Sequence, residues 1–273
     1  MWALGLIIIG AGGWLIWSSK KSEQKAKTME AAKTTTVEEI QKLVQEIREQ
    51  LNGGVSGYTE YVELKGLSRC EQPLTGEFSK EPAAIIRTKV ERQIETRRER
   101  RDDDGNVRTS WHKSTDVLQK HEEEAEFFIE DATGRARVIS EGSELHLIER
   151  VNRFEPPGSV ERQQGNISWG NFSMSLSSYR GNDRRTLGYK FEEKALPVDH
   201  QLYVLGEIRD TEGGLVIQKP SDNNKGKPFI VSARSEAELV ASAESSAKTQ
   251  KFGGIAAIVI GLVVLVYGIM ELL

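Results

Sequence analysis

Asp131-Ala132-Thr133-Gly134 follows directly on the apolar run Phe127-Phe128-Ile129 and Glu130. An aspartate, a threonine and a glycine at the exit of a hydrophobic strand suit two chemistries. One is attack on phosphate to form an aspartyl-phosphate. That route also needs a phosphate-holding backbone, a lysine and further aspartates for Mg²⁺, carried on parallel strands with crossover helices. No such alternation of strand and helix is visible between residues 55 and 230. The other is proteolysis by two carboxylates that share a proton, which needs two such loops; the sequence has one. A structural reading remains. Asp at the first and Gly at the fourth position fit a type I turn, with the Asp side chain bonded forward to turn amides. Asp131 is therefore expected at a hairpin corner, without a catalytic role.

The other chemical candidates are weaker. His121-Glu122-Glu123-Glu124-Ala125 approaches the zinc-protease pattern but has alanine where the second imidazole must stand. His112, His146 and His200 have no ligand spacing and are expected on the surface or on strands. Arg97 to Gly105 reads RRERRDDDG, which could attract phosphate or acidic lipid. Glu95, Glu99 and the three aspartates offset its arginines, and a solvated hairpin tip is the plainer reading. The single Cys70 excludes an internal disulfide and a cysteine-rich zinc site. No P-loop, dinucleotide fingerprint or nucleophile elbow is present. No catalytic, cofactor-binding or metal-ligating residue is assigned, and no cofactor is expected. A net charge of −4, with the two signs interspersed, argues against a nucleic-acid partner.

The two ends of the 273-residue chain carry a different signal. Met1 to Trp17 and Gly253 to Met270 hold no charged side chain, and each is close to the ~20 apolar residues that a spanning helix needs. Nothing basic precedes the first run, unlike a signal peptide, and Trp14 and Trp17 sit at its exit as interfacial anchors. Lys20, Lys21, Lys25 and Lys27 follow the first run and Lys248 and Lys251 precede the second, while Glu271 alone follows it. Lysines on the inner flanks place the middle of the chain on the cytoplasmic side of a prokaryotic plasma membrane. Gly5 and Gly12, and Gly254, Gly261 and Gly268, recur at seven-residue spacing and so line one face of each helix. Small residues on one face allow close helix approach in lipid. The spans are expected to pair with each other or to mediate self-association.

Between the ends, residues 18–35 are a polar linker or frayed helix. Thr36 and Glu39 form a capping box, and Val37, Ile40, Val44, Ile47 and Leu51, widened by Leu43, form an apolar stripe ended by Asn52-Gly53-Gly54. Two heptads are short for a coiled coil, so packing on the soluble domain is expected. From Tyr58 the period changes to two. Ile86, Thr88, Val90, Arg92 and Ile94 share one face, as do Val107, Thr109 and Trp111, and RDDDGN between them reads as a hairpin turn. Residues 152–185, rich in Gly, Ser, Asn, Pro and Arg, read as a long connection with a short helix near Met174. Further strands follow in LGYKFEEKALP, HQLYVLGEIRD, GGLVIQKP and PFIVS, and Ser235 with Glu238 caps a last helix.

The order of these blocks resembles the GIDE, or beside-a-membrane, domain of mitochondria-anchored ubiquitin ligases and their prokaryotic relatives. It runs through VELKGLSRCEQPLTGEFSKEPAAIIRTKVERQIETRR, a strand with Trp111, FFIEDATGRARV, LGYKFEEKALPVDHQLYVLGEI, LVIQKP, PFIVS and SEAEL, with a span at each end. The resemblance implies a β-rich domain between two membrane helices, facing the intermembrane space in mitochondrial members, which is the opposite placement to the one the lysines favour. It also implies ligase activity in a separate RING finger. That finger needs two zinc sites of four Cys or His ligands each, and this sequence holds one cysteine and four histidines, so neither zinc ligands nor ligase activity carry over. The expectation is an α+β membrane protein. Residues 1–18 and 253–272 are the transmembrane helices, 19–54 a linker and amphipathic helix, 55–234 an antiparallel barrel- or sandwich-like domain, and 235–252 a juxtamembrane helix. Its expected role is a protein-interaction or assembly module with an unknown protein partner; the alternatives are ligase-type transfer or an unrecognised hydrolase.

Overall fold

A computed structural model describes residues 2–50, 57–101, 107–163, 166–169, 172–175, 183–221 and 226–270. Two helices dominate the ends, α1 (Trp2–Glu30) and α3 (Glu236–Met270), and both are long and apolar enough to cross a membrane. They pair antiparallel, Gly5 against Gly261 and Gly12 against Gly254. A Cβ on Gly5 would lie 2.8 Å from the Gly261 carbonyl, and one on Gly12 would lie 2.7 Å from the Gly254 carbonyl. Backbones this close leave no space for a side chain, which is the physical reason for glycine at these positions. The buried face of α1 continues as Gly5, Gly12, Ser19 and Ala26, again every seven residues. The glycine faces are thus engaged within the chain. Residues 18–30, read as linker or frayed helix, prolong α1 without a break, and 236–270 form one helix.

Helix α2 (Val37–Gln50) buries Val37, Ile40 and Val44, the stripe read from its spacing. Leu43 departs from that stripe and is exposed. Asn52 to Gly54, expected to stop the helix, and Asp102 to Asn106, expected to turn the long hairpin, lie outside the described residues.

The architecture is α+β, with a β-rich, barrel-like core between the two long helices. The chain divides into two compact units. The first comprises Met1–Gly66, Asp131–Leu145 and Gln201–Leu273. In it β13 (Gln201–Thr211) pairs antiparallel with β14 (Gly214–Gln218) and β15 (Ile230–Ser232), and β14 runs parallel to β6 (Arg135–Val138). Strand β1 (Thr59–Arg69) also pairs with β13, which curls the sheet back on itself. Met29 from α1 and Leu239 from α3 share a core with Tyr203, Leu205 and Ile230, so both long helices are rooted in this sheet.

The second unit comprises Leu67–Glu130 and His146–His200. Its main sheet has the order β2 (Leu74–Thr75), β3 (Pro82–Arg101), β12 (Arg184–Pro197), β8 (Ile148–Glu155), and β4 (Val107–Glu124) adds to β3. The β3–β4 register runs from Ile85 opposite Glu124 to Arg101 opposite Val107, confirming the long hairpin. Ile86, Thr88, Val90 and Ile94 are buried, as their alternation indicated. Strand β4 is different: Val107, Thr109 and Trp111 share a face, but that face is exposed. Strands β9 (Glu161–Gln163), β10 (Asn166–Trp169) and β11 (Phe172–Ser175) form a small meander where a loop and a short helix near Met174 were expected. Phe172-Ser173-Met174-Ser175 alternates with period two, and that period selects strand over helix. Val90, Val160, Phe172, Tyr189 and Phe191 form a core of this unit.

Candidate functional site

The Asp131 loop joins β5 (Phe127–Glu130) to β6, and its side chains are occupied by structure. Asp131 Oδ1 accepts hydrogen bonds from the Thr133 amide at 2.7 Å, the Thr133 hydroxyl at 2.6 Å and the Gly134 amide at 2.9 Å. Its Oδ2 accepts from the Val37 amide at 2.8 Å, and Thr133 Oγ1 accepts from the Glu38 amide at 3.0 Å. The loop therefore caps the free amides at the start of α2. A Cβ on Gly134 would come within 2.9 Å of the Val37 side chain, so glycine lets the loop sit on the helix. Burial raises the Asp131 pKa, but the bonds from the Thr133 hydroxyl and the Val37, Thr133 and Gly134 amides outweigh it and hold the carboxyl below its ordinary value. An acceptor with both oxygens engaged in this way is a clamp. The forward bonds to the turn amides are those its sequence indicated; the reach to α2 is additional.

The other acidic groups inside the sheets are also partnered. Buried Glu63 accepts from the Thr34 hydroxyl at 2.6 Å and the Tyr203 hydroxyl at 3.1 Å, and pairs with Lys65 at 2.8 Å. Burial, then the adjacent Glu63 charge, push the Tyr203 phenol above its usual range. Glu207 accepts from the Ser221 amide and hydroxyl. Asp210 receives Arg48 at 2.9 and 2.5 Å. Sequence reasoning missed these groups. The available signal was a lone carboxylate inside an apolar strand, as in Leu205-Gly206-Glu207-Ile208.

His121 and Glu122 to Glu124 lie on β4, not on a helix, and Glu122 pairs with Arg87 at 2.7 Å. Among the described residues no group of three or more His, Cys, Asp and Glu side chains is placed to hold a metal. In the arginine run, Arg97 pairs with Glu99 at 2.5 Å, while Asp102 to Asp104 lie outside the described residues. Arg185 links Glu95, at 2.5 Å, to the exposed face of Trp111, at 4.8 Å from the ring centre.

One cleft stands out in the second unit. Its volume is about 600 Å³, and it is lined by Glu77, Phe78, Lys80, Trp169 and the run Arg150 to Arg153. Phe78 meets Trp169, Phe172 and Phe191 edge-on at 5.7, 5.2 and 5.6 Å, and Trp169 stacks on Phe191 at 4.5 Å. Buried Glu193 accepts from the Phe78 amide at 2.6 Å and the Ser79 amide at 3.3 Å, fixing the loop that presents Phe78. None of this was visible in the sequence, where Trp169 lies in the stretch read as a connection.

A family model described as GIDE, E3 ubiquitin ligase, matches residues 95–266, more than half of the chain. The chain belongs to the GIDE family. The matched GIDE segment contains the Asp131 loop, Arg150 to Arg153 and Trp169 of the cleft, and most of α3. A similar curated protein is the E3 ubiquitin-protein ligase SPL1 of Arabidopsis thaliana, 25% identical over 204 residues, which cover 74% of this chain and 54% of that protein. This GIDE chain thus spans about half the length of that relative. No solved structure matches it.

Proposed function

We propose that this GIDE chain is a membrane-anchored protein-interaction module that holds a partner protein beside the bilayer and supplies no catalytic group of its own. The observation that carries this reading is strand β4. It is an 18-residue strand that pairs with β3 on one side, and Val107, Trp111 and Val117 are about half exposed along it. Among the described residues β4 is an edge strand, and a long edge strand with half-exposed apolar side chains is a template for another chain. In support, Asp131, Glu63, Glu207 and Asp210 are bonded into a helix cap and sheet contacts.

Family membership favours a second reading, ligase-type ubiquitin transfer. One cysteine and four histidines cannot fill two four-ligand zinc sites, so in this reading the chain positions a substrate while the transfer chemistry comes from elsewhere.

A photo-cross-linking residue in place of Trp111, in native membranes, tests the module reading. The expected result is a discrete adduct with a partner protein; no adduct at this position overturns the reading. Ubiquitin-activating and conjugating enzymes with ATP and the purified chain should give no conjugates beyond those formed without it. A turnover that Asp131→Asn abolishes while the fold persists would also refute the reading.

A further inference from the structure

We propose that the cleft along β8 binds an extended, acidic peptide segment of a partner protein by strand addition. This deepens the interaction-module reading and rests on it. Strand β8 is the last strand of its sheet and pairs with β12 alone among the described residues. Successive side chains of a strand point to opposite faces. Four consecutive β8 residues, Arg150 to Arg153, nevertheless line one cleft, as they do where the cleft follows the strand's open edge. A register shift opposite Glu193 and Lys194 leaves Arg150 without a cross-strand partner on β12, a local irregularity of the kind that bends a strand. An incoming strand would find main-chain donors and acceptors there, the basis of strand-addition recognition.

The cleft chemistry selects the occupant. Lys80, Arg150 and Arg153 face it against the single carboxylate of Glu77. Arg150 is held by Glu81 and the Lys80 ammonium donates to the Glu77 carbonyl at 2.6 Å, whereas among the described residues no side-chain partner engages Arg153. Cations on an edge strand also discourage indiscriminate pairing. Here they border an aromatic floor, Trp169 and Phe78, that accepts an apolar side chain on alternate positions of the guest. The opposite wall is preorganised. Gly76 and Glu81 close its loop by a backbone bond at 2.8 Å, Lys80 sits in the left-handed region at φ 63°, and Glu193 holds the amides of Phe78 and Ser79. A wall fixed before binding costs little ordering on binding.

The test uses the full chain in detergent micelles and three end-blocked heptapeptides followed by fluorescence anisotropy. They are alternating Glu-Leu, alternating Lys-Leu, and the Glu-Leu peptide with alternate amides N-methylated. The Glu-Leu peptide should bind about tenfold tighter than either comparator, or more. Arg153→Glu should weaken the Glu-Leu peptide and strengthen the Lys-Leu peptide; the gain shows that the variant is folded. Equal binding of the acidic and basic peptides, indifference to N-methylation, or unchanged affinities in Arg153→Glu would overturn the inference. Cross-linking at Trp111 reports on the module reading separately, so failure of one is distinguishable from failure of the other.

Discussion

Replacing Asp131 with alanine should loosen α2 without altering any chemistry. The carboxylate accepts four hydrogen bonds, one from the first turn of α2 and three from its own loop. Loss of a helix cap costs about 0.5–2 kcal/mol, and bonds to a charged acceptor contribute up to about 1.5–3 kcal/mol each where they are shielded from water. The site is only partly buried, so water recovers much of the loop contribution. A net loss of about 2 kcal/mol in α2 protection follows, equivalent to roughly 30-fold faster amide exchange. Hydrogen exchange of residues 37–50, read by mass spectrometry on the full chain in micelles, measures it. Asp131→Asn keeps one acceptor oxygen and loses the charge, so an effect of about 1 kcal/mol is expected. The pH dependence has a definite sign. The folded pKa lies below the unfolded value of ~3.9. The stabilisation is therefore fully present above about pH 4 and is lost as pH falls through the folded value. After correction for intrinsic exchange, the wild-type advantage over Asp131→Ala should be level from about pH 5 to 8 and shrink below about pH 4. Unchanged α2 exchange in Asp131→Ala, or an advantage that persists undiminished in acid, would refute the clamp.

Two further changes probe the frame. Gly254→Ala places a methyl group 2.7 Å from the Ile16 side chain and 2.8 Å from the Gly12 carbonyl, so the paired helices must part by about an ångström to restore ordinary contact distances. Spin labels at the exposed positions Trp17 and Phe252, in a Cys70→Ser background, should report a longer and broader distance; an unchanged distribution would count against the pairing. Arg48→Ala takes the guanidinium away from the Asp210 carboxylate, whose side chain is 1% exposed while that of Arg48 is 37% exposed. Removing one member of a buried pair leaves the other charge less well compensated, and solvent at Arg48 moderates the resulting loss of stability. Urea unfolding in micelles should show this loss and partial recovery in Arg48→Ala with Asp210→Asn, whereas a loss under about 0.5 kcal/mol would show the pair to be incidental.

The sequence made local geometry legible and left long-range partnership hidden. The Asp131 turn was readable because its signature lies within four residues. Its bond to the Val37 amide spans 94 positions, which no local pattern encodes. The seven-residue glycine spacing announced a helix face because seven residues make nearly two turns. That the two faces meet one another is a tertiary fact. For β4 the alternation correctly grouped Val107, Thr109 and Trp111, but period two states which residues share a face and not whether anything covers it. The cleft was hidden for a further reason. Its aromatic floor joins Phe78, Trp169, Phe172 and Phe191, from four separate segments, two of them in a stretch whose Gly, Ser and Asn content masked its strands.

The length of the paired helices sets a height. At ~1.5 Å per residue, the part of α1 from Ser18 to Glu30 rises about 20 Å beyond its apolar run, and the part of α3 from Glu236 to Phe252 rises about 25 Å. With the apolar runs in a bilayer, a headgroup layer of about 5–8 Å takes up the first part of that rise. The remaining ~15 Å is a two-helix pillar, stiffened by Ala26 in its seam and anchored at its far end where Met29 and Leu239 enter the sheet core. The sheet of the first unit therefore stands clear of the lipid on a spacer of fixed reach. Adding or removing a turn of that spacer would change which neighbouring membrane proteins it can touch.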